Sequence, residues 1–133
     1  MIITGTVQVI ANSSIEDRRK YKRFPMELSA RYVKENDREW KGCTVTNISR
    51  GGIGIIVYLQ EKISGGALLK LAIMFPKKEE PIKATGVVRW IKEQKGEKNF
   101  IGGVEFTEID AEDKWELLDY AYDNWKEEEE EEE

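Results

Sequence analysis

Apolar and polar side chains alternate along most of the chain between residues 26 and 106. The clearest run is 26–34, in which four apolar residues share one face: Met26, Leu28, Ala30 and Tyr32. A period of two is typical of a β-strand with one buried face. The same reasoning predicts five further strands, at 38–46, 53–59, 67–75, 82–93 and 100–106.

The fifth of these strands carries the longest alternating pattern. We expect its inward face to hold Ile82, Ala84, Gly86, Val88 and Trp90. A glycine inside a strand often marks a bulge or a bend, so Gly86 is a candidate for one. The third strand, 53–59, is almost wholly apolar, which favours a central position in the sheet.

After residue 106 the pattern changes to the period of a helix. Asp110 is a candidate N-cap, and acidic residues follow in the first turn, where negative charge suits the helix dipole. The apolar positions at helical spacing are Trp115, Leu118, Tyr122 and Trp125, with Leu117 and Ala121 beside them. Such a helix could dock a partner, but burial against its own small domain is the default expectation.

Six short strands with turns at regular intervals predict a mainly antiparallel all-β fold, a closed or nearly closed barrel with a C-terminal helix. A length of 133 residues suits one domain. We expect an N-terminal extension at 1–14 that could form an extra strand, a barrel-and-helix domain at 15–126, and an acidic disordered tail at 127–133.

Charge and composition exclude several classes of function. The net charge of −5 depends on the seven terminal glutamates, since without them 19 acidic residues stand against 21 basic ones. The chain has no histidine and one cysteine, Cys43, so neither a histidine-activated nucleophile nor a cysteine-based metal site is expected. The sequence predicts no enzyme, no metal, no membrane span and no secretory signal, which fits a cytoplasmic protein.

Two short segments carry the candidate binding chemistry. Five of the six residues at 18–23 are cationic, among them Arg18, Arg19 and Arg23. An arginine fork matches a phosphate or the O6/N7 edge of guanine, whereas lysine supplies charge alone. The second segment, 47–52, is a predicted turn with an amide, a hydroxyl and a glycine that permits unusual backbone angles or a close ligand approach. These groups are Asn47, Ser49 and Gly52.

Together the two segments resemble the motifs of the PilZ family of bacterial cyclic-di-GMP receptors. Arg19 and Arg23 match R-x-x-x-R, and the triad at 47–52 matches [D/N]-x-S-x-x-G. The stretch 103–106, Gly-Val-Glu-Phe, resembles the G-V-x-F pattern of the last strand in that family. The resemblance covers roughly residues 18–125 and implies a six-stranded barrel with a C-terminal helix.

The resemblance also implies a function and a role for each motif residue. Arg19 and Arg23 would hold phosphates and guanine edges of cyclic-di-GMP, while Asn47 and Ser49 would face a guanine and Gly52 would give clearance. Binding would order the arginine-rich segment and pass a signal to a separate protein effector. In the family an arginine at the position of Arg18 accompanies an intercalated pair of ligand molecules, so two ligands per chain are expected.

Two other functions fit parts of the sequence. One is a PilZ-like scaffold that acts through protein partners alone, although such domains lack the ligand motifs that this chain keeps. The other is a small barrel that binds single-stranded nucleic acid. The cations cluster in one short stretch and the acidic tail would repel a polyanion, so no nucleic-acid binding is expected.

Overall fold

The computed structural model describes residues 22–58 and 63–131. The predicted extension at 1–14 and the side chains of Arg18 and Arg19 lie outside the described residues. Within them, all six predicted strands are present and are followed by one helix. Their bounds are β1 Phe24–Lys34, β2 Lys41–Ile48, β3 Gly52–Val57, β4 Leu68–Ile73, β5 Ile82–Gln94, β6 Asn99–Ile109 and α1 Ala111–Glu131.

The strands form a closed antiparallel barrel, which confirms the predicted fold. Their order around the barrel is β1, β2, β3, β6, β5, β4, and β4 pairs with β1 to complete the ring. Closure satisfies the backbone groups that an open sheet would leave free at its two edges. Ligands and partners must therefore meet the outer wall or the ends of this barrel through side chains.

The alternation in β1 appears in the structure as the sequence predicts. Met26, Leu28, Ala30 and Tyr32 are all buried, whereas the polar residues between them are exposed. The β3 strand is buried along almost its whole length, in agreement with its apolar sequence. These side chains belong to one core cluster that fills the barrel interior.

Strand β5 departs from the predicted alternation at one end. Its pairing with β6 shifts register between Thr85 and Gly86, which confirms an irregularity at this glycine, and again between Val88 and Trp90. The second shift inserts one extra residue, Arg89, so two successive side chains are exposed. The prediction that Trp90 faces inward is therefore wrong, and 49% of its surface is exposed.

Helix α1 packs against the barrel through a narrow apolar face, and the larger aromatic residues of the helix are not at the centre of that face. Leu117, Leu118 and Ala121 are buried and belong to the core cluster. Trp115 and Tyr122 flank this line and remain half exposed. The helix thus packs against its own domain, as expected, while its aromatic side chains lie at the margins of the contact.

Both ends of the packed part of α1 are held by specific contacts. At its start, the Asp110 side chain accepts hydrogen bonds from the backbone N–H groups of Glu112 and Asp113, at 2.9 and 3.1 Å, which confirms the predicted N-cap. Further along, the ring of Phe24 meets those of Tyr122 and Trp125 edge-on, with centroids 5.6 and 5.7 Å apart. The start of β1 is therefore fixed against the helix.

The helix continues past position 126, through Glu131. It therefore includes five of the seven terminal glutamates, 127–131. Glutamate has a high intrinsic helix propensity, which favours this extension, although negative charge at a helix C-terminus opposes it. Among the described residues, no helix combines the length and hydrophobicity needed to cross a membrane.

Candidate functional site on the barrel wall

The two sequence motifs meet at the start of β1. Pro25 pairs with Asn47 of β2, which places the preceding residue, Arg23, beside the same part of the barrel wall. Nη1 of Arg23 donates a hydrogen bond to Oδ1 of Asn47 at 2.7 Å. Both side chains are only partly buried, so a molecule in solution can reach them.

Asn47 lies within strand β2 and not in the turn where the sequence placed it. The turn itself is confined to residues 49–51. Ser49 is 3% exposed, and its hydroxyl accepts a hydrogen bond from the Gly51 N–H at 3.2 Å. The backbone N–H of Ser49 donates to the Gly52 carbonyl at 2.9 Å. In this structure, Ser49 therefore shapes the turn that joins β2 to β3.

Gly52 is required by the packing of the barrel. A Cβ at this position would overlap the carbonyl oxygen of Val104 on the neighbouring strand. The φ angle of Gly52 is not in the left-handed region, so an unusual backbone angle does not explain the residue. What the glycine permits is a close approach of β6 to β3.

A continuous row of four residues crosses the outer wall of the barrel. Asn47 of β2 pairs with Gly54 of β3, Gly54 pairs with Gly103 of β6, and Gly103 pairs with Trp90 of β5. A Cβ on Gly54 would overlap the amide of Asn47, and a Cβ on Gly103 would overlap the indole of Trp90. The absence of a side chain at the two glycines therefore allows the Asn47 amide to pack against the backbone of Gly54 and the Trp90 indole to pack against that of Gly103.

This row forms the floor of an open groove of about 560 Å³. Arg23 and Asn47 stand at one side and Trp90 at the other, with Gly54, Gly102 and Gly103 between them. The groove thus combines a cationic fork, an amide and an aromatic face. Such a set can bind a planar, anionic molecule that carries hydrogen-bonding edges.

Sequence reasoning missed three members of this groove. The alternation alone predicts Trp90 on the same face as Val88, because it does not reveal the bulge at Arg89. Gly54 and Gly103 were not assigned to the site, although glycine within a strand signals a close approach of another group. Which groups approach depends on strand register, and the sequence alone does not fix that register.

Two cations near the motifs point away from the groove. The guanidinium of Arg50 lies over the ring of Trp115 on α1, 5.4 Å from its centroid. Lys22 likewise contacts helix α1, with its ammonium 4.6 Å from the centroid of Trp125. Both cations therefore bind aromatic faces at the end of the barrel that α1 covers.

Nothing in the described part of the chain resembles a metal centre. Residues 22–58 and 63–126 contain no group of three or more acidic or cysteine side chains arranged to hold an ion. The thiol of Cys43 is buried, and burial raises its pKa to about 12, so the reactive thiolate is disfavoured. The groove has the chemistry of a binding site.

Comparison with known proteins identifies the fold family. The family model described as the PilZ domain matches residues 17–123. The chain belongs to the PilZ domain family. The structure of this PilZ domain contains the six-stranded barrel and the C-terminal helix expected from the resemblance. No curated protein matches the chain.

Several solved structures are similar to this PilZ domain. The inhibitor of motility MotI/DgrA from Bacillus subtilis has 29% sequence identity and a TM-score of 0.67, with coverage of 80% of this chain and 51% of that chain. The PilZ domain of YcgR from Escherichia coli, solved with c-di-GMP, has 14% identity and a TM-score of 0.65, with coverage of 86% and 96%.

The MrkH–c-di-GMP complex from K. pneumonia has 18% identity and a TM-score of 0.69, with coverage of 86% of this chain and 55% of MrkH. The match therefore spans about half the length of both MrkH and MotI/DgrA. At the identities of YcgR and MrkH, the likeness shows the shared barrel fold.

Proposed function

We propose that this PilZ domain is a receptor for cyclic-di-GMP and binds it in the groove between Arg23 and Trp90. The observation that carries the proposal is the hydrogen bond between Arg23 and Asn47, since it joins the two ligand motifs at one edge of an open groove. Cyclic-di-GMP combines two phosphates with two guanines, and the groove offers groups for both. The solved complexes of YcgR and MrkH with c-di-GMP add support from the same fold.

The cationic side of the groove would bind a phosphate or a guanine edge. The guanidinium of Arg23 carries five N–H donors in a planar fork, one of which binds Asn47. A charge-assisted fork to a phosphate or to O6/N7 of guanine is stronger than a neutral hydrogen bond. The amide of Asn47 can serve a guanine edge beside the fork of Arg23.

The opposite side of the groove would hold a base by its face. The indole of Trp90 packs on Gly103 and is 49% exposed, so it offers an aromatic surface to a flat ring in the groove. Stacking of a base on an aromatic side chain contributes about 1–3 kcal/mol. Trp90 therefore joins Arg23 and Asn47 as a proposed contact of the ligand.

Arg18 and Arg19 would complete the site from the segment that precedes Lys22. Phe24 packs against Tyr122 and Trp125. The segment that carries these arginines therefore joins the barrel at a fixed position beside the groove. Ligand binding would order the segment against the barrel wall, and a separate effector protein would then bind the ordered surface. Ser49 would act by holding the turn beside Asn47.

The testing experiment is calorimetric titration of the chain with cyclic-di-GMP, with GTP and GMP as controls. We expect saturable binding of the cyclic dinucleotide, weak or no binding of the mononucleotides, and a higher melting temperature in its presence. A large excess of single-stranded RNA should not displace the ligand. Unchanged melting at millimolar cyclic-di-GMP would reject the receptor function.

A further inference from the structure

A second open groove lies on the wall of the barrel formed by β1, β4 and β5. Its volume is about 490 Å³. In the ring of strands, β1 and β4 lie opposite β6 and β3, which carry the glycine floor of the first groove. The two grooves therefore occupy opposite walls and do not share a floor.

Three cations surround this second groove. Arg31 of β1 pairs with Ala72 of β4, and Ala72 pairs with Lys83 of β5, so the three residues form a row across adjacent strands. Strands lie about 4.8 Å apart, which puts the backbones of Arg31 and Lys83 roughly 10 Å from each other. Lys70 lies two residues from Ala72 on the same face of β4.

These cations lack acidic partners within the described part of the barrel. Residues 22–58 and 63–126 supply no ion pair to Arg31, Lys70 or Lys83, whereas Lys78 and Arg89 do form such pairs. No acidic side chain lines the groove. Three like charges close together raise the electrostatic free energy of the free protein, and an anionic partner would lower it.

The groove also offers an apolar contact. Trp40 lines one side and is 45% exposed, and the small side chain of Ala72 leaves space between the long cations. Tryptophan and arginine are the residue types that dominate binding energy at protein interfaces. Since the groove is shallow and lies on a convex wall, it suits a protruding side chain of a protein better than an enclosed small ligand.

We propose that this surface, defined by Arg31, Trp40, Lys70 and Lys83 and termed here the basic face, binds an acidic segment of a partner protein. The partner would place carboxylates on the three cations and one apolar side chain over Ala72 against Trp40. A closed barrel has no free strand edge, so the partner docks through side chains and not by adding a strand.

A protein segment fits the basic face better than a nucleic acid does. Three cations around one tryptophan can match a few carboxylates spaced along a peptide. They do not form the extended basic track that a phosphate backbone needs.

The test uses a fluorescently labelled peptide of glutamates around one central phenylalanine, titrated into the full chain at low salt. The variant Lys70→Glu/Lys83→Glu reverses two charges of the basic face. Its control, Lys92→Glu/Lys95→Glu, makes the same change in net charge at exposed positions near the other end of β5. Amide shifts in NMR spectra locate the bound peptide, and circular dichroism verifies that each variant is folded.

We expect the peptide to shift the amide signals of Arg31, Ala72 and Lys83 and to leave those of Asn47 and Gly103 in place. Its Kd should rise about tenfold or more in the first double variant and change less than about twofold in the control. Trp40→Ala should weaken binding without changing its dependence on salt.

Three results would overturn the proposal. They are absence of peptide binding to the parent, equal weakening by the two double variants, and displacement of the peptide by single-stranded RNA at the same amide signals. Because cyclic-di-GMP binding is measured separately and on the opposite wall, failure here leaves the receptor function standing, and the reverse also holds.

Discussion

Arg23 and Asn47 are hydrogen-bonded at 2.7 Å, although 24 positions separate them in the sequence. The bond connects the residue just before β1 with the outer face of β2. Without ligand, Asn47 therefore holds the guanidinium at the edge of the groove and reduces the number of conformations that binding must freeze. Such preorganisation favours affinity because less side-chain entropy is lost on association.

Replacement of Arg23 tests the first motif directly. Arg23→Ala should weaken cyclic-di-GMP binding by about 2–4 kcal/mol, since it removes a charge-assisted fork. Loss of the bond to Asn47 should lower the free energy of unfolding by only about 1 kcal/mol. Arg23→Lys keeps the charge without the fork and should bind with intermediate affinity. Calorimetry and urea unfolding give the two quantities, and parental affinity in the alanine variant would remove Arg23 from the site.

Ligand stoichiometry should depend on Arg18. We expect two cyclic-di-GMP molecules per chain in the parent and one in Arg18→Leu, because a stacked pair brings anions together and needs an additional planar cation. Titration calorimetry measures the bound ratio. A ratio of one in both proteins would exclude the intercalated pair while leaving a receptor for a single ligand.

Gly52 should tolerate no side chain. Gly52→Ala places a methyl group against the Val104 carbonyl, and separating the strands should cost about 1–3 kcal/mol of stability. Gly42→Ala is the matched control, since a Cβ there meets nothing within 4 Å. The control should be neutral or slightly stabilising. Equal urea midpoints for the two variants would contradict the close approach of β6.

The N-cap of α1 should contribute measurably to stability. Asp110→Ala leaves the N–H groups of Glu112 and Asp113 without their carboxylate acceptor, at an expected cost of about 0.5–2 kcal/mol. Asp110→Asn retains an acceptor oxygen and should lose much less. Thermal unfolding followed by circular dichroism compares the three proteins, and an alanine variant as stable as the asparagine variant would argue against capping.

Cys43 should be unreactive in the folded protein. Burial raises the pKa of its thiol from 9.0 to about 12, so at pH 8 the thiolate needed for alkylation is scarce and inaccessible. Because the folded state holds this proton more tightly than the unfolded state, its contribution to stability is lost as pH rises from about 9 toward 12. Rapid labelling of the native protein at pH 8, at the rate seen in urea, would disprove the burial.

The parts of the fold that follow local rules could be predicted from the sequence. The inward face of β1 and the cap at Asp110 depend on period and on one side chain, and both are confirmed. Asn47 was placed in a turn because asparagine, serine and glycine are common there. The structure continues β2 through Ile48, since pairing with both β1 and β3 extends to that point.

The groove could be predicted only in part. The sequence identifies Arg23 and Asn47 as candidate ligand-binding residues, and the structure brings them together. The row that joins Asn47, Gly54, Gly103 and Trp90 depends on three separate strand registers and on an inserted residue. Register arises from pairing between distant segments, so no local window of sequence contains it.

The register shift at Arg89 also determines where strand β5 can lose one residue without losing its pattern of inward and outward side chains. Deleting Arg89 would remove the extra residue and restore strict alternation, with Val88 and Ile91 still on the inner face and Trp90 still on the outer one. Deleting Val87 would instead put one half of β5 out of phase with the other and send core side chains to the outer wall. The strand therefore tolerates the loss of one codon at the bulge but not two positions before it.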